Sequence, residues 1–457
     1  MRRFLFTGSA LARMLRNASA RSGRIRPHFE PLEARQCLSC TVSVVDDTLF
    51  VMGDEGDNAI EIVDEGPSGV RVSCDDFSET HTGIARILVR TGEGSDHLGM
   101  VLHGGPNGPH DVRVGMGAGE DVFRLRVDSP PPAAEASDVV EPLARPLRVH
   151  LQTGEGSDEV TIGVGHLRRG LVIQAGLGEG DDKFDIASSG EGPGRLEVRV
   201  RGDGGADHFA LHGGNAPVED VPSRDVLPHG SLAAYFSGGD GQDEFLADLR
   251  GTVAGRTALV AHGGEGDDHL AATVHAELHA GLGIRLIGGQ GDDTLRTELM
   301  GHAAARVATY LHGGEGADNA QVTDRLNVAE GVLKSLHISL GAGNDQARVD
   351  AVNRALDGFF ALKVDGGGES DRIDVDLAVH SAAGTGRLGA LVLGGDGDDG
   401  LRMAIHDAAL VALANTAEEP VGLVGVRALI DGGEGFDTAA HTRNVKVRNC
   451  EEDILIE

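Results

Sequence analysis

The chain has 457 residues and a formal net charge of −32 at pH 7. So acidic a chain is a poor partner for nucleic acid or anionic lipid and favours cations. It contains 69 glycines, two tyrosines and no tryptophan, which indicates a narrow core of small aliphatic side chains.

The first 40 residues are basic, unlike the rest of the chain. Their apolar run from Phe4 to Leu15 is interrupted by Arg13, so it is a weak secretory core and too short to span a membrane. No later stretch resembles a transmembrane helix, and we expect no membrane span. An arginine-rich leader is also typical of organelle transit peptides, and a disordered basic arm is a further alternative.

Residues 29–39 read FEPLEARQCLS. They resemble the FEPLEARxLLS motif found near the N-terminus of many bacterial secreted and cell-surface proteins, with Cys37 in place of the usual leucine. The resemblance implies export to the cell surface or the extracellular medium. We therefore interpret residues 1–40 as an export leader that is removed or lies outside the folded body, and residues 41–457 as the folded part.

The chain has four cysteines. Cys40 and Cys74 flank the first repeat described below and can pair. Cys450 belongs to the last repeat, roughly 60 Å away at ~4.8 Å per coil, so it is free, buried or intermolecular. Cys37 and Cys40 also allow a lipid anchor or a redox pair, but the weak apolar run disfavours the first and the missing βαβ context disfavours the second.

A glycine-rich turn that closes on an aspartate recurs along the folded part with a period of about 25 residues, which is typical of a solenoid. Residues 263–268, with the sequence GGEGDD, are a complete copy. We call the last residue of each copy the closing aspartate. The sequence places one at Asp57, Asp96, Asp121, Asp158, Asp182, Asp207, Asp243, Asp268, Asp293, Asp318, Asp345, Asp371, Asp399 and Asp437.

An apolar residue follows each closing aspartate by two positions, as expected where a strand leaves a corner with one face inward. These residues are Ala59, Leu98, Phe123, Val160, Phe184, Phe209, Phe245, Leu270, Leu295, Ala320, Ala347, Ile373, Leu401 and Ala439. The alternation predicts an all-β fold, a right-handed parallel β-helix or β-roll-like solenoid of about fourteen coils. Residues 297–311 are rich in alanine and are compatible with a helix instead, so the coil cross-section stays open.

Four steps of the repeat are longer by roughly a dozen residues. Their extra segments, which include residues 64–69, 129–134, 215–228 and 415–420, are rich in proline and polar residues. They are typical of loops that leave the solenoid wall, either as passive bulges or as a binding face. Near the end, residues 444–457 are predicted to form a strand that caps the open edge.

The turns resemble the hemolysin-type (RTX) calcium-binding repeats, a nonapeptide pattern with an apolar residue two places after the aspartate. The resemblance implies several calcium ions, held between the aspartates of successive layers and glycine carbonyls. The ligands would be the carboxylates of Asp96, Asp121, Asp158, Asp182, Asp243, Asp268, Asp293, Asp318, Asp345, Asp399 and Asp437, with carbonyls of Gly264, Gly266, Gly289, Gly291, Gly314, Gly316, Gly395, Gly397, Gly433 and Gly435.

This chain departs from the family because the motif occurs once per coil and not in tandem, so we expect one calcium ladder along one edge. Three copies are imperfect. Asp203 replaces a glycine before Asp207, Glu369 replaces one before Asp371, and the copy ending at Asp57 is one residue short. Calcium binding at these three is in doubt.

Electrostatics favours a cation independently of the resemblance. Stacked aspartates ~4.8 Å apart repel by roughly 1 kcal/mol per pair in water and by roughly 3–4 kcal/mol at an effective dielectric constant of 20. Extra acids in the turns, such as Glu265, Asp267, Asp292, Asp396, Asp398 and Glu434, add to this. A divalent ion relieves the repulsion, and we expect the chain to be largely disordered without calcium. The alternative is a set of plain turns with outward, solvated carboxylates.

His275, Glu277 and His279 alternate on the outward face of one predicted strand and are a possible zinc set or a solvated face. We find no motif of a catalytic or organic-cofactor site. The sequence therefore favours an exported calcium-binding structural or adhesive protein, with cell-surface polysaccharide or other surface proteins as candidate partners. The alternative is a β-helix enzyme that acts on acidic polysaccharide as a lyase, epimerase or glycosidase.

Overall fold

The structure is a computed structural model, and it describes residues 40–74, 77–103, 108–128, 145–188, 194–214, 230–381, 385–407 and 425–456. The predicted leader, apart from Cys40, lies outside these residues, and so do the predicted loops at 129–134, 215–228 and 415–420.

The described residues form two long β-sheets. Sheet A has the spatial order β1 (Cys40–Val45), β2 (Thr48–Gly53), β6 (Arg86–Glu93), β8 (Asp111–Ala118), β10 (Leu147–Glu155), β12 (Leu171–Glu179), β14 (Leu196–Gly204), β16 (Leu232–Asp240), β18 (Thr257–Glu265), β20 (Leu282–Gln290), β22 (Val307–Glu315), β24 (Leu333–Ala342), β26 (Phe359–Gly368), β28 (Arg387–Asp396), β30 (Gly425–Glu434) and β32 (Lys446–Arg448).

Sheet B has the order β5 (Phe77–His81), β4 (Val70–Cys74), β3 (Ala59–Asp64), β7 (His97–Leu102), β9 (Val122–Val127), β11 (Glu159–Val164), β13 (Lys183–Ser188), β15 (His208–Gly213), β17 (Glu244–Val253), β19 (His269–Leu278), β21 (Thr294–Ala303), β23 (Asn319–Val328), β25 (Gln346–Asn353), β27 (Arg372–Val379), β29 (Gly400–Asp407), β31 (Thr438–His441) and β33 (Glu452–Leu455). Among the described strands, β5 and β33 each pair with one neighbour, so this sheet is open.

From β6 to β31 the strands alternate between the two sheets along the chain, and each pairs in parallel with the strand one coil later. Leu259 of β18 lies beside Ile284 of β20, and Leu270 of β19 lies beside Leu295 of β21. Every inward position therefore stacks on the inward position of the next coil. The result is a continuous buried core of Val, Leu, Ile, Ala and Phe between the sheets.

The prediction of an all-β parallel solenoid with coils of about 25 residues is confirmed. The regular solenoid makes about 11 turns, slightly fewer than the predicted fourteen coils. The segment that was compatible with a helix, residues 297–311, contributes to strands β21 and β22 instead.

The N-terminal end is closed by antiparallel strands. Strand β1 pairs with β2, and β4 and β5 continue from β3. The predicted loop at residues 64–69 is here a short 3-10 turn, Gly66–Ser68, between β3 and β4. Cys40 and Cys74 form a disulfide with Cα atoms 6.4 Å apart, as the sequence allowed, while Cys450 is a free thiol.

The C-terminal end carries two short strands, where the sequence analysis predicted one capping strand. Strand β32 adds to β30 in sheet A, and β33 adds to β31 in sheet B. Strand β32 pairs with residues 429–431 of β30, and β33 carries exposed side chains such as Ile454 and Leu455.

Candidate metal centre: a buried aspartate column at the glycine turns

Each glycine-rich turn links a strand of sheet A to the next strand of sheet B, and the turns stack directly on one another. The second and fourth motif positions adopt positive φ, as in Gly264 (137°) and Gly266 (127°). A Cβ on Gly264 would lie 2.0 Å from the carbonyl oxygen of Gly239 in the preceding coil. Glycine is needed here both for the backbone conformation and for the close stacking.

The closing aspartates form a column inside these stacked turns. From Asp96 to Asp437 their side chains are at most 4 % exposed. The alternative of outward, solvated carboxylates is therefore wrong for this structure. The column includes Asp207 and Asp371, whose turns depart from the glycine pattern, so these imperfect copies keep the same corner.

One oxygen of each carboxylate accepts a hydrogen bond from the backbone of the preceding coil. The N–H of Asp243 donates to Oδ1 of Asp268, and the N–H of Asp268 donates to Oδ1 of Asp293, both at 2.8 Å. The same contact joins every consecutive pair from Asp96 to Asp437. At the C-terminal end the N–H of Asp437 donates to Oε2 of Glu451 at 2.8 Å.

The first coil corrects the assignment of Asp57 as a closing residue. Asp57 is exposed, and the buried Asn58 takes the closing position, with its N–H donating to Oδ1 of Asp96 at 2.8 Å. The inward residue two places on is accordingly Ile60 and not Ala59, and Ile60 lies beside Leu98. The copy is not short, but its closing residue is a neutral amide.

The other carboxylate oxygen, Oδ2, is buried without a hydrogen-bond partner at every closing aspartate from Asp96 to Asp437. In the complete copies it lies against the first motif glycine. A Cβ on Gly263 would lie 1.9 Å from Asp268 Oδ2 and 2.7 Å from the carbonyl oxygen of Gly288 in the next coil. Two oxygen acceptors thus face one small space that holds no donor, and this arrangement fits either a proton or a cation.

Burial of these carboxyl groups raises their pKa, and neighbouring closing aspartates add to the effect at several positions. The pKa rises from 3.8 to about 7 at Asp182, Asp207, Asp268, Asp293, Asp318 and Asp371, and to about 6 at Asp121 and Asp399. It is also raised at Asp96, Asp158, Asp243, Asp345 and Asp437. The backbone hydrogen bond to Oδ1 opposes this shift but does not cancel it.

The first motif position divides the coils into two groups. It is glycine before Asp207, Asp243, Asp268, Asp293, Asp318, Asp371, Asp399 and Asp437, which we call the glycine-first coils. It carries a side chain before Asp96, Asp121, Asp158, Asp182 and Asp345. Thr91 and Thr153 donate to the carbonyls of Met116 and Leu177 at 2.7 and 2.6 Å. A hydroxyl therefore satisfies the carbonyl in those two coils.

The extra acids of the turns lie outside the column and form a second ladder. Oδ1 of Asp267 accepts the N–H of Asp292 at 2.8 Å, and Oδ1 of Asp292 accepts the N–H of Ala317 at 2.7 Å. Asp398 does the same for Phe436. Glu265, Asp396 and Glu434 are exposed beside them. Asp267, Asp292 and Asp398 thus accept backbone N–H groups at the surface.

The predicted carbonyl ligands point along the stack. A Cβ on Gly289 would lie 2.1 Å from the carbonyl oxygen of Gly264, and a Cβ on Gly291 would lie 2.2 Å from that of Gly266. The carbonyl oxygen of Gly289 faces Gly314 in the same way. The pattern repeats from Gly291 to Gly316, from Gly395 to Gly433 and from Gly397 to Gly435. The carbonyl that faces the carboxylate belongs to the first motif residue of the next coil, for example Gly288 for Asp268 and Leu340 for Asp318. Neither residue is among the ligands predicted from the sequence.

No three side chains of His, Cys, Asp or Glu converge on a metal position within the described ranges. A cation in the column would therefore take carboxylate and backbone oxygens together, as calcium does. His275, Glu277 and His279 do lie on the outward side, but His275 pairs with Glu298 of the next coil at 3.1 Å.

A cluster of charged side chains on the outer face of sheet B is relevant to the enzyme alternative. Arg402 contacts Asp374 at 2.5 Å and Asp376 at 3.7 Å, and His406 contacts Asp376 at 3.2 Å. Acids, arginine and histidine thus share one wall, although both carboxylates are ion-paired. The structural role stays the prediction, with the enzyme as its untested alternative.

No family model, curated protein or solved structure matches this chain. Among the described residues, no helix has the length and apolar character needed to cross a bilayer. The class is defined by the fold and the turns themselves: a parallel β-solenoid with a buried aspartate column along one edge.

Proposed function

We propose that this protein is an exported calcium-binding solenoid with a structural or adhesive role at the bacterial cell surface. The observation that carries the calcium proposal is the buried Oδ2 atom of the closing aspartate in the glycine-first coils, which faces a carbonyl oxygen without a donor between them. Calcium prefers such carboxylate and carbonyl oxygens and tolerates irregular geometry.

The energetics of the column supports a positive partner. For Asp268 alone, a pKa of about 7 in place of 3.8 corresponds to about 4 kcal/mol of penalty on the ionised form. Several such penalties together are of the same order as the roughly 5–15 kcal/mol by which a typical domain is stable. Relief of this penalty would therefore stabilise the fold at neutral pH. Protons relieve it at low pH, and a divalent cation relieves it at the pH and calcium level of most extracellular media.

The glycine-first coils are the best candidates for ions because their small space is not filled by a side chain. They include Asp207 and Asp371, although their turns lack one glycine. In these two coils the replaced glycine lies at the second or fourth position, whereas the first position, which faces Oδ2, is still glycine. Asp96 and Asp158 are weaker candidates because a threonine hydroxyl already satisfies the facing carbonyl.

Export is supported by two independent features. Residues 29–39 resemble the FEPLEAR motif of secreted and surface proteins, and Cys40 and Cys74 are disulfide-bonded. Structural disulfides persist mainly in oxidising compartments outside the cytosol. Cell fractionation of the tagged full chain, with and without residues 29–39, tests export. Retention of both forms in the cytosol would contradict it.

Calorimetric titration of the chelator-treated chain with calcium at pH 7.5 tests the central claim. We expect about eight sites, one for each glycine-first coil, with release of protons because ions bind the ionised carboxylates. Magnesium is the matched comparison, and it should bind more weakly because it demands a tighter octahedral geometry. A stoichiometry of one or two, or no heat at millimolar calcium, would overturn the proposal.

A further inference from the structure

A lysine occupies an inward position in the middle of the solenoid. Lys334 of β24 lies between Val307 of β22 and Phe360 of β26 in a row of stacked inward residues that is otherwise apolar around it. Its side chain is 1 % exposed, and its Nζ lies 4.1 Å from the centre of the Phe360 ring. The ammonium group has no access to solvent.

Two further polar side chains meet this lysine inside the core. Asp324 of β23 takes the place of the apolar residue in its own row, between Leu299 and Ala351. Asn353 ends β25 and is 1 % exposed. Lysine, aspartate and asparagine thus come from three successive strands and face one another in a closed apolar environment.

The contacts within this triad are short and directional. Lys334 Nζ lies 2.6 Å from Asp324 Oδ2 and 2.7 Å from Asn353 Oδ1, and it also contacts the Leu326 carbonyl at 3.4 Å. Asn353 Nδ2 donates to Asp324 Oδ1 at 3.3 Å. It also contacts the carbonyls of Asp324 at 3.4 Å and Leu326 at 3.2 Å. The carboxylate therefore touches both the amine and the amide nitrogen.

A plain structural role explains this triad poorly. A buried ion pair is frequently no more stabilising than apolar residues of similar volume, and the neighbouring coils use such residues at the equivalent positions. The triad also places a nucleophile, an acyl group and a proton carrier within hydrogen-bond reach of one another and away from water, which are the requirements of an acyl transfer.

We propose that Lys334 and Asn353 form an intramolecular amide bond, with Asp324 as the proton carrier. Asp324 Oδ2 takes a proton from the lysine ammonium, and the free Nζ attacks Cγ of Asn353. The Nζ–Cγ bond forms and the Cγ–Nδ2 bond breaks. Asp324 passes the first proton to Nδ2, which leaves as ammonia, and then takes the second proton that Nζ must lose to become an amide nitrogen. Asp324 gives this proton to the ammonia, which departs as ammonium, so the carboxylate is regenerated. The reaction needs no oxidant and no co-reactant.

The surroundings favour the uncharged amine that this step requires. Burial among apolar side chains lowers the pKa of Lys334, and the adjacent Asp324 carboxylate only partly opposes this shift. The hydrogen bond from Nζ to Asn353 Oδ1 holds the amine beside the carbonyl that it attacks. The product is a covalent link between β24 and β25, the two strands of one coil.

Tryptic peptide mapping of the purified full chain under denaturing conditions tests this link. Without it, trypsin gives residues 326–334, 335–348 and 349–354 as separate peptides, because it cleaves after Lys334, Arg348 and Arg354. With it, Lys334 resists cleavage. Residues 326–348 then stay joined to residues 349–354, with a total mass lower by about 17 Da, the mass of ammonia.

Three variants complete the test. Lys334→Met, which restores the apolar row, and Asp324→Asn should both abolish the joined peptide. Lys363→Arg should leave it unchanged, because Lys363 pairs with Asp365 on the outer face of the neighbouring coil. Separate peptides from the folded wild-type chain would overturn the proposal. So would a loss of about 18 Da between Lys334 and Asp324, because water is lost when a carboxyl group is the acyl donor.

Discussion

The backbone N–H of Asp268 donates a 2.8 Å hydrogen bond to Oδ1 of Asp293, one coil further along the chain. Because this contact recurs along the column, each closing aspartate uses one oxygen to hold the backbone of its neighbour. In the glycine-first coils its second oxygen is left facing a carbonyl. The same residue thus fixes the corner of the solenoid and presents the buried oxygen on which the proposed cation site depends.

Replacing one closing aspartate by asparagine should stabilise the calcium-free protein. In Asp268→Asn the amide Oδ1 still accepts the N–H of Asp243, and the amide nitrogen supplies the donor that the Gly288 carbonyl lacks. At pH 8 in chelator we expect the free energy of unfolding to rise by about 1–3 kcal/mol. Calcium stoichiometry should fall by one. Denaturant unfolding and calorimetry measure the two effects.

The neighbouring residue provides the control for this variant. Asp267 belongs to the exposed outer ladder, and its Oδ1 accepts the N–H of Asp292. Asp267→Asn keeps that acceptor and should change neither stability nor calcium stoichiometry. Equal effects of the two substitutions would mean that general charge reduction, and not the buried column, determines the response.

The raised carboxyl pKa values predict that the calcium-free solenoid is more stable in mild acid than at neutral pH. Between about pH 4 and pH 7 the folded column binds protons that the unfolded chain has already released. Stability therefore falls as pH rises through this window and is lowest above about pH 7. We expect strand circular dichroism in chelator to persist at pH 5 and to be largely lost at pH 8.

Calcium should reverse this trend because it binds the ionised carboxylates. Millimolar calcium at pH 8 should restore the strand spectrum and raise the melting temperature, whereas at pH 5 it should have little effect. Identical melting curves at pH 5 and pH 8 in chelator would show that the column carries no such proton linkage.

A methyl group at the first motif glycine should disturb the column directly. In Gly263→Ala the new Cβ would lie 1.9 Å from Asp268 Oδ2 and 2.7 Å from the Gly288 carbonyl oxygen. Coils with Thr153 or Leu177 at this position show that the turn can adapt. We therefore expect a loss of about 1–3 kcal/mol and a weakened calcium site, and not complete unfolding.

Gly283→Ala is the matched substitution in the neighbouring coil. No atom lies within 4 Å of a Cβ at Gly283, and its φ is not positive. Alanine in a strand is also entropically favoured over glycine, so stability should stay the same or rise by about 0.5 kcal/mol. Thermal unfolding of the two variants, each with and without calcium, separates steric effects at the column from general loss of glycine.

The solenoid and its aspartate edge could be predicted from sequence because both follow from local periodicity. The closing aspartate and the inward residue two places later, such as Asp268 and Leu270, identify corner and core without tertiary information. Asp57 was misassigned because it is an exposed acid that directly precedes the true closing residue, Asn58. Only the stacking of the coils distinguishes Asp57 from Asn58, because the N–H of Asn58 donates to Oδ1 of Asp96.

The direction of the carboxylates could not be derived in the same way. Whether Asp268 points inward or outward depends on the rotamer that its neighbour's N–H selects, and this contact lies 25 residues away. The lysine triad did leave a signal. Asp324 and Lys334 stand at inward positions of alternating strands, next to Val322 and Leu336, where a polar residue is unexpected.

Loss of the disulfide should loosen the N-terminal end of the solenoid and leave its centre unchanged. Cys40 and Cys74 are 34 residues apart, and closure of such a loop contributes about 3–4 kcal/mol in the chain-entropy model. Each coil contacts its neighbours only, so the effect should be confined to the first coils. In Cys74→Ser we expect faster amide exchange in β1 to β5 and unchanged exchange around Asp268. Cys450→Ser removes the free thiol at the opposite end and serves as the control. Uniformly faster exchange along the whole chain in Cys74→Ser would show that the solenoid unfolds as one cooperative unit.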